Sequence, residues 1–183
     1  MSEDPELIEI LKKYSTKKKR IYVMAHFNNV NEISEESLKA IDMLLKAGVI
    51  ICNQAPLIAG INDNVDALVN LFNKLSYIGV PPYYIFQCRP TKGNFAYSVP
   101  IEKGFSIFNE AISKVSGLGK RARYMMSHKY GKIGIVGLDD EYVYMKFHRA
   151  ANPTNYQKLL KMKRNKAARW LDDYDDALIQ VSE

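Results

Sequence analysis

Val80-Pro81-Pro82-Tyr83-Tyr84-Ile85-Phe86-Gln87-Cys88-Arg89 is the stretch from which the fold is read. Tyr83 to Phe86 form a short apolar, aromatic run, the pattern of a strand buried on both faces. Pro81 and Pro82 lack the N–H that a central ladder needs, so they belong at its start. Gln87, Cys88 and Arg89 then place polar side chains where such a strand would meet a pocket. Working outward, a helix precedes the run, entered through Asn62-Asp63-Asn64, with Leu68, Leu71, Phe72 and Leu75 inward. Another follows from Pro100, carrying Phe105, Phe108, Ile112 and Val115, and Gly117 and Gly119 break it.

The same grammar continues in both directions. Upstream, Ile21–Ala25 is a strand leaving through His26-Phe27-Asn28-Asn29. Ser34 caps a helix whose face is Leu38, Ile41, Leu44 and Leu45, with Gly48 at its exit. Val49–Cys52 is the next strand, leaving through Asn53 and Gln54. Downstream, Arg121–Met126 is a fourth strand, leaving through Ser127-His128-Lys129-Tyr130-Gly131-Lys132. A short helix capped by Asp4-Pro5 opens the chain. Strands alternating with helices predict a parallel α/β layout, in which function gathers at the carboxyl ends of the strands.

After Lys132 the pattern changes. Ile133–Leu138 and Tyr142–Phe147 flank Asp139-Asp140 as a β-hairpin, and Lys158–Trp170 reads as a basic C-terminal helix before an acidic tail containing Asp172, Asp173, Asp175 and Asp176. Two units are therefore expected, residues 1–132 and 133–183. Apolar content of 47% and charged content of 25% are those of a globular chain and exclude disorder. The net charge of +6 is modest, and the basic runs Lys12–Arg20 and Lys158–Arg169 read as solvated helix faces, with no nucleic-acid partner expected. Two cysteines far apart in sequence and no long apolar segment lead us to expect a reducing, cytoplasmic setting without a membrane partner.

The strand exits resemble the lysine 2,3-aminomutase family of radical S-adenosylmethionine (SAM) enzymes. The matching pieces are His26-Phe-Asn-Asn-Val-Asn-Glu32, Gly48 through Asn53-Gln54, Ile61-Asn-Asp63 and Pro82-Tyr-Tyr-Ile-Phe-Gln-Cys88, in the family's order from about Ile21 to Ile133. The resemblance implies the later strands of a partial (β/α) TIM-type barrel. It also implies an enzyme that moves an amino group between adjacent carbons, using a [4Fe–4S] cluster, SAM and pyridoxal phosphate (PLP). By position, Lys132 matches the lysine that bonds covalently to PLP, with Lys129 as a rival. His26, Asn53 and Gln54 match strand-end positions near the SAM and PLP pockets, and Tyr83, Tyr84 and Phe86 would line the cofactor cavity.

Two departures follow from the same comparison. Where the lysine enzymes hold the substrate's distal ammonium with paired aspartates, this chain has Arg89 and Met125, so Arg89 becomes a candidate for a carboxylate and the substrate is expected not to be lysine. The family's CxxxCxxC cluster motif is absent, and Cys52 and Cys88 cannot replace it. The chain is thus expected to be a C-terminal portion that works with a missing N-terminal half or as a homo-oligomer, on an amino-acid substrate. The alternative is a non-catalytic remnant or a module that binds PLP or a partner.

Overall fold

The computed structural model describes residues 4–174. Its centre is a seven-stranded sheet in chain order, β1 (Tyr22–Ala25), β2 (Ile50–Leu57), β3 (Pro82–Gln87), β4 (Arg123–His128), β5 (Gly131–Leu138), β6 (Tyr142–Ala150) and β7 (Leu159–Lys163). The first four strands run parallel and β4 to β7 antiparallel. Four helices accompany them: α1 (Pro5–Tyr14), α2 (Glu35–Lys46), α3 (Val65–Tyr77) and α4 (Ile101–Lys114). The mixed α/β class is the expected one, as are the alternating order of the first half and the hairpin of β5 and β6. Among the described residues no helix is long and apolar enough to cross a membrane.

Local chemistry sets these boundaries. Asp4, Ser34 and Asn64 each accept a backbone N–H in the first turn of α1, α2 and α3. Gly48 takes φ +77° after α2, where a Cβ would be strained. Ile41 and Leu44 bury against Val49, Ile51, Leu71, Leu75 and Val80, with Ile8 and Leu11 of α1 packed alongside. A second cluster joins Leu68 and Phe72 of α3 and Phe108 of α4 to Leu57, Ile85 and Tyr124. There Phe72 meets Phe108 edge to face at 6.4 Å.

Several expectations are corrected. β2 runs on to Leu57, so Asn53 and Gln54 sit inside a strand and not at its end. The cause is that parallel pairing with β3 continues through Leu57↔Gln87. Gln87 is buried at 2% exposure on the helix side, its polar atoms bonded to the protein, and so does not face a pocket. Lys132 lies in β5, paired with Ser127, because the loop between β4 and β5 is only Lys129-Tyr130. Leu45 is exposed.

The basic C-terminal helix does not form over Lys158–Trp170. Leu160 and Met162 alternate with outward lysines, pair with Met145 and Val143, and make β7. The remainder to Trp170 is turns and irregular chain. Asp175 and Asp176 lie outside the described residues. The division expected after residue 132 falls within β5.

Candidate functional site

Alternation gives the parallel sheet two different faces. Ile51, Ala55 and Leu57 of β2 pack into the helix-side clusters, which leaves Cys52, Gln54 and Pro56 on the opposite face. Register carries that second face across the sheet: Gln54 pairs with Tyr84, Tyr84 with Arg123, Phe86 with Met125, Met125 with Gly134, and Gly134 with Lys146. Lys132, two residues before Gly134, shares it. This helix-free face gathers aromatic and cationic side chains.

Two bulges complete the arrangement. Asn53 pairs with Pro82 and Gln54 with Tyr84, so Tyr83 is an extra residue in β3. Lys132 pairs with Arg149 and Ile133 with Phe147, which makes His148 the extra residue of β6. The two irregularities meet through Tyr84, whose hydroxyl lies 3.2 Å from that of Tyr83 and 3.1 Å from His148 Nε2. The Tyr83 and Tyr84 rings are 4.0 Å apart between centroids. Burial, and then the Tyr83 hydrogen bond, push the Tyr84 phenol up to about 12. Burial holds the His148 imidazole below its ordinary pKa, and Arg123, Lys132 and Lys146 push in the same direction.

Lys132 Nζ stands 4.8 Å from the ring centroids of both Tyr84 and Phe86. Cation–π attraction to two rings fixes the amine over an apolar floor. A cleft of about 330 Å³ opens beside it, lined by Met24, Gln54, Tyr83, Tyr84, Lys132, His148 and Arg149. His148 also borders a cleft of about 230 Å³ with Cys52, Arg121 and Arg123. It borders a third, of about 660 Å³, that reaches Phe105 and Phe108 past Arg123 and Lys146.

Of the residues singled out from sequence, Lys132, Gln54, Tyr83 and Phe86 are brought together. Lys129 is exposed on the β4–β5 turn, with Nζ 3.4 Å from Asp172 Oδ2. Asn53 points to the helix side, where its amide accepts from Phe27 N at 2.8 Å and donates to Phe27 O at 3.0 Å. That pair anchors the exit of β1 and uses both ends of the side chain. His26 is exposed just past β1, and Arg89 is exposed beyond β3. Neither lines the three clefts. Met125 is buried on the helix-free face.

Arg123 and His148 escape a reading of the sequence. Arg123 is a strand residue with no motif around it, and His148 reaches the site through a bulge that alternation does not announce. Among the described residues no group of three or more His, Cys, Asp or Glu side chains is placed to hold a metal ion.

No protein-family model matches the chain. Individual relatives do. A protein of Aquifex aeolicus, provisionally named an L-lysine 2,3-aminomutase, is 45% identical over 97% of this chain and 48% of its own length. The L-lysine 2,3-aminomutase of Clostridium subterminale is 42% identical over 62% of this chain and 26% of its own. The glutamate 2,3-aminomutase of Clostridioides difficile is 36% identical over the same 62% and 26%. The chain spans about half the length of the first and about a quarter of the other two is matched.

Proposed function

We propose, from the premise that the chain belongs to the lysine 2,3-aminomutase family, that it is the PLP-holding, C-terminal portion of an aminomutase-like enzyme. In this reading β1 to β4 are an arc of a (β/α) barrel and their helix-free face is its interior. Lys132 is the residue that bonds to PLP, and Gln54, Tyr83 and Phe86 line the cavity. The reading rests above all on the Lys132 amine laid over Tyr84 and Phe86 at the mouth of a cleft. An amine held there is kept apart from carboxylates and open to a carbonyl carbon.

The residues present fit PLP chemically: a nucleophilic amine, aromatic rings for a planar heterocycle, and cations for its phosphate. PLP, when bound, supplies an electron-accepting ring beside the substrate nitrogen. The chain's residues orient that ring, exclude water along the apolar floor and keep Tyr84 protonated near neutral pH. The donor set for an iron–sulfur cluster is different. Such clusters take several closely placed thiolates, whereas Cys52 lies in mid-β2 and Cys88 beyond β3, beside Asn94 Nδ2 at 3.7 Å. These two cysteines do not fit a cluster. That misfit favours a second reading, a module that holds PLP or a partner without turnover.

The test is covalent trapping. Added PLP followed by borohydride should leave a stable adduct on Lys132, located by peptide mapping, and Lys132→Ala should remove it. An adduct mainly on Lys129 or the N-terminal amine would overturn the assignment.

A further inference from the structure

The helix-free face is unbalanced in charge. The residues lining the three clefts that His148 borders, one of which is also lined by Phe105, Phe108 and Asn109 of α4, include Arg121, Arg123, Lys132, Lys146 and Arg149, and no aspartate or glutamate. Elsewhere some of the described cations find carboxylates: Arg164 holds Glu102 at 2.8 Å, Lys46 holds Asp42 at 2.6 Å and Lys114 holds Glu110 at 2.8 Å. None of the five cleft cations is in an ion pair with a described residue. Cations crowded on one face without an anion repel each other, and a bound oxyanion relieves that repulsion.

The crowding has a centre. Arg123 and Lys146 border one cleft with His148 between β4 and β6. His148 reaches Tyr84, and Tyr84 carries the Lys132 amine on its ring. A small molecule bound beside Lys132 and long enough to reach past Tyr84 and His148 therefore meets Arg123 and Lys146. A guanidinium there offers a planar, two-point fork for a carboxylate, and an ammonium a third donor. A distal ammonium would meet like charge instead.

We propose that Arg123 and Lys146, beside His148, form a carboxylate receptor, so that the substrate bound next to Lys132 is an amino acid with an acidic side chain. The receptor follows from the clefts; its role toward substrate rests on the reading of Lys132 above.

The chain has three histidines, so their ring protons can be followed singly by NMR, with His148 assigned by His148→Gln. L-glutamate, L-lysine and inorganic phosphate are titrated in at matched ionic strength. L-glutamate is expected to shift the His148 signal saturably and raise its pKa, while L-lysine leaves both unchanged. Arg123→Gln with Lys146→Gln should weaken that binding about tenfold or more, as loss of charged hydrogen bonds does. Arg123→Lys with Lys146→Arg, which keeps both charges, should retain most of it. A His148 response to phosphate but none to L-glutamate would overturn the substrate assignment. A response equal to that from chloride, or one unchanged in the double glutamine variant, would overturn the receptor. If glutamate binds as described but borohydride traps no PLP on Lys132, the receptor stands and the function proposed above fails.

Discussion

The Gln87 amide donates to the carbonyl oxygens of Val99 at 2.7 Å and Arg169 at 2.8 Å, and accepts from the Tyr124 hydroxyl. One side chain thus ties β3 to the start of α4 and to the chain past β7. Gln87→Leu keeps the volume but leaves two carbonyls and a phenol unpaired in the core, at a cost of about 3 kcal/mol. Urea unfolding should show it as a lower midpoint with an unchanged slope. Histidine sets a second expectation at this scale. His128 Nδ1 accepts the Tyr130 N–H at 3.2 Å, so the proton sits on Nε2, 3.0 Å from Asp172 Oδ1. Burial holds its pKa below the ordinary 6.5, outweighing Asp172. As pH falls through 6.5 the unfolded chain takes up the proton first, so stability is full above that value and declines below it. His148 is lowered too and adds to the same slope. Melting temperatures measured downward from pH 7 should fall, and less steeply in His128→Gln. A flat profile above the carboxylate range would contradict both burials.

Elements were legible in the sequence where one periodicity ran unbroken and was capped. The Asn64-capped α3 lies where its apolar stripe puts it, and Leu68, Leu71, Phe72 and Leu75 are its buried residues. β7 was not legible, because Leu159-Leu160-Lys161-Met162-Lys163 holds good helix formers and the partner that imposes period two is β6. The site was legible chiefly through the resemblance. It pointed to Lys132, Gln54, Tyr83 and Phe86, although the residue pattern alone put Lys132 and Gln54 in strand exits. His148, by contrast, depends on a bulge, which shifts side chains by pairing and leaves no pattern of its own. The turn that delivers Lys132 depends on glycine. Gly131 has φ +131°, and a Cβ there would run into the Arg149 carbonyl oxygen. Gly131→Ala should therefore cost about 2 kcal/mol and pull β5 away from β6. It should also lower borohydride labelling of Lys132, since the amine would leave its rings. Unchanged stability and labelling together would show that this register is not held by Gly131.

On the scale of the whole molecule, the sheet has two open edges among the described residues, β1 and β7. β1 is short, parallel and apolar, and its Tyr22 and Met24 are 64% and 40% exposed. Its N–H and C=O groups on the outer side have no strand partner, which costs little in water and much once apolar surface gathers around them. α1 does not relieve this, since Ile8 and Leu11 pack into the helix-side cluster with Ile41 and Leu44. The helix-free face beside β1 adds exposed Tyr83. Re-burial of such surface contributes roughly 25 cal/mol per Å². We therefore expect the chain to associate through β1, with a second copy or with a polypeptide that supplies the neighbouring strand. Light scattering across a dilution series should show a concentration-dependent mass. Tyr22→Lys with Met24→Lys, which places charge on the edge without touching the core, should shift the chain toward monomer while leaving its circular dichroism unchanged. A compact monomer at every concentration would show that β1 needs no partner. Association that persists undiminished in the double lysine variant would move the interface away from this edge.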